Sequence, residues 1–215
     1  MKKRDFGVVY AGAGFIVLFL VWTVAACLFD VEAIGPLGSA VGFSTLNKSF
    51  HALTGVHMPV YVLTDWLGLV PFAFVLGFAL LGLWQWIRRR SILAVDVSLL
   101  ALGAFYFTVM AIYVAFEFLS VNYRPVLIDG VLEASYPSST TVLVICVMST
   151  ARMQLKFRMK NGALMRTCAV LIDIFIAFMV IGRLVSGVHW LSDIIGGIFL
   201  SVGLSFLYLP FAKEK

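Results

Sequence analysis

Apolar residues along this chain come in runs, with no period-two or narrow helical stripe. Six stretches, 7–29, 64–87, 92–119, 138–151, 164–186 and 190–211, are almost uninterrupted by charge. About 20 such residues are needed for a helix to cross the bilayer's hydrocarbon core. The pattern therefore predicts an all-α, polytopic membrane protein built as a six-transmembrane-helix bundle. The fourth run is short, and its helix is expected to continue past Arg152, with Arg152 and Lys156 reaching toward the interface. The first run is too long for a signal-peptide core and lacks a small-residue cleavage site, so it reads as an uncleaved span. No span reads as clearly broken by Gly or Pro at mid-bilayer. The longest polar interval, 30–63, carries the turn signals Gly35-Pro36 and Thr54-Gly55. A short amphipathic piece is expected near 46–53.

Composition sharpens this picture. The chain has 215 residues, 62% hydrophobic and 13% charged, with mean hydropathy +1.03. Soluble domains run at about 45–50% apolar and about 25% charged. A cytosolic enzyme, a disordered tail and a disulfide-stapled secreted domain are excluded. The length allows roughly five to seven spans, so residues 1–215 are read as one membrane domain. Cys27, Cys146 and Cys168 sit inside apolar runs and form no CxxC pair, so they read as packing residues. Tandem repeats are absent.

Charge orients the spans. Lys2, Lys3 and Arg4 precede the first span, and Arg88, Arg89 and Arg90 follow the second. Arg152, Lys156, Arg158, Lys160 and Arg166 lie between the fourth and fifth, and Lys213 and Lys215 close the chain. Only Lys48, Arg124 and Arg183 fall on the other side. The positive-inside rule then places both termini in the cytoplasm of a cell-membrane protein. Trp66 and Trp190 fall at the outer interface, Trp84 and Trp86 at the inner one. The net charge of +5 is thus a topology signal that implies no nucleic-acid partner, although the inner basic loops favour anionic membrane lipid.

Polar clusters gather at the outer ends of the later spans. Asn122-Tyr123-Arg124-Pro125 follows span three, and Tyr136-Pro137-Ser138-Ser139-Thr140-Thr141 opens span four. Arg183 lies near the end of span five, while His189 and Asp193 open span six. Pro-Ser-Ser suits a helix start, whose free N–H groups welcome an anion. Two arginines brought there would clamp a phosphate through charge-assisted hydrogen bonds. His189 and Asp193, four apart, share a helical face, so the carboxylate holds one ring nitrogen while the other attacks an electrophile. Singly, each has a plainer reading: an interfacial arginine, an ordinary helix cap, an interfacial His-Trp pair. Together they suggest phosphoryl transfer at the outer surface.

These residues resemble the signatures of the type 2 phosphatidic acid phosphatase superfamily, integral-membrane lipid phosphatases with six spans. Its Ser-Arg-x5-His-x3-Asp signature is similar to Gly182-Arg183-x5-His189-x3-Asp193. Pro-Ser-Gly-His resembles Pro137-Ser138-Ser139-Thr140, and Lys-x6-Arg-Pro resembles Glu117-x6-Arg124-Pro125. The resemblance spans roughly residues 60–212. It implies that His189 is a nucleophile forming a phosphohistidine and that Asp193 orients it. It further implies that Arg124, Arg183, Ser138 and Ser139 bind the phosphoryl oxygens, with no metal or other cofactor required.

Three positions depart from the pattern. Glu117 stands where the family has lysine, Gly182 where it has serine, and Thr140 where it has the histidine that protonates the leaving group. Glu117 should repel phosphate unless Arg124 or Arg183 neutralises it. General-acid help is worth about 10²–10⁴ in rate, so its loss matters unless another acid such as Tyr136 acts. A diphosphate expels phosphate, which leaves readily as an anion. The expected substrate is therefore a lipid phosphate or, preferably, a polyprenyl-type diphosphate, handled at the extracytoplasmic face. The alternative is a catalytically weak or silent relative that binds a phosphorylated lipid or a membrane partner. A transporter has less support, for want of a broken span. The sequence leaves the oligomeric state open.

Other polar residues read as structural. His51 and His57 belong to the long loop. Asp96 and Asp173, inside apolar runs, are expected to pair with Arg90 or Arg166. Gly197, Ser201 and Ser205 recur every fourth residue, as in a close helix-packing face.

Overall fold

The computed structural model describes residues 3–212, without the side chains of 3–5. Lys2, Lys213 and Lys215, and the side chains of Lys3 and Arg4, on which part of the charge asymmetry rests, lie outside the described residues. In chain order the helices are α1 (Lys3–Leu28), α2 (Ser44–Thr54), α3 (Met58–Leu67), α4 (Val70–Arg89), α5 (Val97–Leu119), α6 (Ser139–Arg158), α7 (Gly162–Val185) and α8 (Leu191–Tyr208). Among the described residues there is no strand; three isolated bridges fasten loops instead. The fold class is the all-helical membrane type that the apolar runs predict.

Among the described residues, five segments are long and apolar enough to cross a membrane: Phe6–Leu28, Met58–Arg89, Val97–Leu119, Gly162–Val185 and Leu191–Phe211. The fourth predicted span is not among them; it corresponds to α6, whose 20 residues rise about 30 Å, a length comparable to the bilayer's hydrocarbon core. Thr141, Thr150, Arg152 and Gln154 make it more polar than the rest. Its position explains this. Half of α6 is buried, whereas α4 buries only Pro71 and Gln85. A helix enclosed by other helices needs no lipid-facing coat. The outer helices supply that coat with exposed Val17, Val21, Leu76, Leu80, Ile174 and Phe178, an apolar surface that water would not tolerate.

The second predicted span departs from expectation. The chain breaks at Gly68-Leu69, and Pro71 then opens α4. An unbroken helix over Met58–Arg89 would have 32 residues and measure about 48 Å. The 20 residues of α4 suffice to cross, so the break falls near the end of a span and leaves α3 free to pack on α7. Between α1 and α3, the amphipathic piece expected near 46–53 is α2, which buries Ser44 and Asn47 against the bundle.

α1 and α8 pack antiparallel, since Gly12 meets Gly203 and Leu207 while Trp22 Nε1 donates to the Ser192 carbonyl. α8 lies on α6 through the predicted small-residue face. Gly197 sits against Thr141, and Ser201 donates to the Gly197 carbonyl. Polar side chains tie the far end of the bundle. Asp96 pairs with Arg89 and Arg158, both at 3.0 Å, and accepts from Gln85. These partners replace the expected Arg90 and Arg166, because α6 extends a further two turns and carries Arg158 to the start of α5. Asp173 pairs with Arg152 at 3.3 Å, since α6 and α7 are neighbours. The three cysteines are free thiols.

Candidate active site

The turn between α7 and α8 is built around a glycine. Gly187 has φ +70°, and a Cβ there would lie 2.0 Å from the Gly55 carbonyl oxygen. Only glycine lets the α2–α3 turn approach so closely. His51 Nε2 lies 3.1 Å from the Gly187 carbonyl oxygen, and the His57 amide donates to the Ser186 carbonyl. The two loop histidines therefore brace the turn that leads into Val188, His189 and Trp190. Trp190 Nε1 then donates to the Tyr123 carbonyl at 2.7 Å, which pins the start of α8 to the loop after α5.

Asp193 is the centre of a buried network. One carboxylate oxygen accepts from Asn122 Nδ2 at 3.0 Å, the other from the Trp190 amide at 2.9 Å. Asn122 also receives the Gly42 amide, while Asn47 bridges Gly42 and Ser192. The Ser138 amide donates to the Asp193 carbonyl at 3.1 Å, which brings the start of α6 to the same place. His189 lies with Nδ1 3.8 Å from Asp193 Oδ2, and both side chains are buried. Neither ring nitrogen has a hydrogen-bond partner. Burial pushes the imidazole down to about 4; Asp193 opposes this, and Arg124 and Arg183 add to it. The ring is neutral at pH 7, the form that carries a nucleophilic lone pair.

Two arginines complete the pocket. Arg183 is 1% exposed, with its guanidinium 4.8 Å from the Tyr61 ring centre, and Arg124 lies 5.9 Å from the same ring. Arg183 contacts Thr64 Oγ1 at 3.4 Å and Asp65 at 3.6 Å, while Arg124 pairs with Glu133 at 2.9 Å. Arg183 Nε and Arg124 Nη1 are buried without hydrogen-bond partners. Buried N–H groups are normally satisfied. Unpartnered donors on both arginines, close enough to depress the histidine, form a site shaped for an anion.

Gly182 now has a reason. A Cβ there would lie 2.7 Å from Thr64 Cγ2. Serine would not fit beside α3 as it stands, and the hydroxyl next to Arg183 comes from Thr64 instead.

The predicted residues thus fall into two groups. His189, Asp193, Arg124, Arg183 and Ser138 gather around the buried network. Glu117, Tyr136, Ser139 and Thr140 line an apolar cleft of about 350 Å³ between α4, α5 and α6. Glu117 is exposed there and pairs with neither arginine, whose carboxylate partners are Glu133 and Asp65. The Tyr136 hydroxyl lies 2.7 Å from Thr23 Oγ1, and burial pushes its pKa well above the ordinary phenol value, which weakens it as an acid. Ser138 accepts from Thr141 Oγ1 and leaves the first turn of α6 without a side-chain cap. Among the described residues, no three His, Cys, Asp or Glu side chains gather as metal ligands.

Sequence reasoning gave no role to Tyr61, Thr64, Asp65, Glu133 or Asn47. Thr64 and Arg183 are 119 residues apart, and no local motif links α3 to α7. Asn122 was in a named cluster, but only the folded chain shows its bond to Asp193.

Fold and site together define a class: an integral-membrane helical protein with a histidine–carboxylate pair in a buried cationic pocket. The PAP2 superfamily model matches residues 121–215, the part of the chain that carries Arg124, Ser138, Arg183, His189 and Asp193. Among solved structures, the chain is similar to one titled the first transmembrane PAP2 type phosphatidylglycerolphosphate phosphatase from Bacillus subtilis. The TM-score is 0.59 at 16% identity, covering 93% of this chain and 94% of that one. No curated protein matches it by sequence.

Proposed function

We propose that this protein is a membrane lipid phosphatase that acts through a phosphohistidine on His189, at the extracytoplasmic face, with a preference for polyprenyl-type diphosphates. The observation that carries this reading is the set of buried, unpartnered nitrogens on Arg124, Arg183 and His189. Both cations would hold the phosphoryl oxygens, and the first-turn amides of α6 would add donors. The neutral imidazole attacks phosphorus through the nitrogen remote from Asp193. An N–P bond forms as the P–O bond to the leaving group breaks, and the growing imidazolium is stabilised by Asp193. Water then attacks the phosphohistidine, releasing inorganic phosphate and restoring the neutral ring. The match to the PAP2 superfamily model supports the same chemistry.

Thr140 supports the substrate preference. A hydroxyl of this kind does not protonate an alkoxide near neutral pH, whereas a departing phosphate needs no such help. The test measures phosphate release from a lipid diphosphate and a phosphatidate-type monoester in one detergent, with wild type, His189→Ala and Thr140→His. Wild type should favour the diphosphate. His189→Ala should abolish turnover and the trapped phosphoprotein. Thr140→His should raise monoester turnover selectively, by up to the roughly 10²–10⁴ an acid contributes. Equal wild-type turnover of both substrates would overturn the preference. Binding without any turnover would favour the silent-relative reading, which the 3.8 Å gap between His189 and Asp193 also permits.

A further inference from the structure

A second cleft lies at the opposite end of the bundle, between α6, α7 and α8. Its volume is about 680 Å³, and Arg152, Lys156 and Arg166 stand at its rim. Arg152 lies 13 positions beyond the first residue of α6, which puts it about 20 Å along the axis from the active-site end. The walls are apolar: Met153, Phe157, Met165, Ala169, Val202 and Phe206. Ser205 also lines the cleft; it is 4% exposed, and its hydroxyl has no partner.

The charges at the rim are unequal. Arg152 is held by Asp173 at 3.3 Å. Arg158, on the next turn, turns to Asp96 at the start of α5. Among the described residues neither Lys156 nor Arg166 is held by an ion pair. A cationic rim over an apolar slot, with a buried hydroxyl inside, matches a ligand with an anionic head and a hydrocarbon tail.

We infer that this cleft binds an anionic phospholipid, with its phosphodiester between Lys156 and Arg166 and an acyl chain along α6 and α8. The Ser205 hydroxyl meets the ester oxygens of the glycerol region. The cleft is separate from the phosphatase pocket, so occupancy does not require catalysis. A free anion would use the rim alone and gain nothing from the walls, which is why the occupant is a lipid.

The experiment places the protein in phosphatidylcholine nanodiscs doped with phosphatidylserine, a phosphodiester without the terminal phosphate that the proposed reaction removes. Lipids retained after mild detergent extraction are counted by mass spectrometry for wild type, Lys156→Gln/Arg166→Gln and Ser205→Val. Wild type should retain phosphatidylserine in preference to phosphatidylcholine. The double variant should weaken retention by about fivefold per charge removed while leaving phosphatidylcholine unchanged. Ser205→Val, which fills the slot, should reduce it without altering the rim. Both rim positions are exposed, so the double variant should fold, which its thermal transition will confirm. Equal retention by wild type and the double variant, or no preference over phosphatidylcholine, would overturn the inference. So would full displacement of phosphatidylserine by millimolar inorganic phosphate, which would reduce the site to an anion contact.

Discussion

Placing serine at position 182, as in the signature that Gly182-Arg183 resembles, should damage this protein. The new Cβ would sit 2.7 Å from Thr64 Cγ2 and 3.9 Å from Val60 Cγ1, against a comfortable carbon–carbon contact of about 3.5–4.0 Å. Either α3 and α7 part by about 1 Å, or Thr64 rotates. Rotation would break the bonds of its hydroxyl to the Val60 and Tyr61 carbonyls and its contact with Arg183. Overpacking of this kind costs about 1–3 kcal/mol, and the gain in helix propensity from glycine to serine returns only a few tenths. A net loss of about 1–2 kcal/mol should lower Tm by roughly 2–8 °C for a chain of this size. The assay is thermal unfolding in detergent of wild type, Gly182→Ser, Thr64→Ser and the double variant. Thr64→Ser deletes the clashing methyl and keeps the hydroxyl. The double variant should therefore recover most of the loss, with a coupling of about 1 kcal/mol. Phosphate release should follow the same order, because Arg183 moves with the clash. An unperturbed Gly182→Ser, or strictly additive effects, would refute the claim that Gly182 and Thr64 share one space.

Two further predictions concern the charges of the pocket. The His189 imidazole takes up a proton below about 6.5 when unfolded but not until about 4 when folded. Its contribution to stability is thus complete above pH 6.5 and is lost progressively toward pH 4, by about 3 kcal/mol. Tm measured from pH 7.5 to 4 should fall less steeply for His189→Gln than for wild type, and parallel curves would contradict a buried neutral ring. If Arg124 binds phosphate as proposed, Glu133 competes for it, so Glu133→Gln should strengthen inhibition by inorganic phosphate severalfold, with a stability change within about 1 kcal/mol. Weaker inhibition would mean that Glu133 orients Arg124 instead.

Much of the fold was legible because lipid imposes a simple rule on what faces it. The outer helices have to be apolar over their whole length, and their runs announce them. α6 was the least legible of the long helices for the complementary reason. Its neighbours are protein, so Thr141, Thr150 and Gln154 are tolerated, and hydropathy fades where the core is densest. The break at Gly68 was invisible because an apolar run reads the same whether one helix or two lie within it. His189, Asp193, Arg124, Arg183 and Ser138 were found by spacing and by charge out of place. Their supports were not. Tyr61 reaches both arginines from α3, and Asn47 reaches Ser192 across 145 positions, and ordinary-looking residues at such separations leave no local pattern.

The location of the differences from the signatures that this chain resembles follows from the same architecture. Around Asp193, the buried polar residues also hold the bundle together. Asn122, Trp190, Ser192 and Ser138 bring three segments of chain to one buried point. Changing a member there strands a buried polar group, at about 1–3 kcal/mol each, before any chemistry is considered. Glu117 and Thr140 line the open apolar cleft and are tied into no such network. They can change at small structural cost. Gly182 stands between these cases: it is buried, but the hydroxyl it gives up is replaced by Thr64. The residues proposed to hold phosphate and to act as nucleophile are thus coupled to folding, whereas Glu117 and Thr140 are not. Divergence in such a site should alter which leaving group is tolerated long before it removes the capacity to hold a phosphate.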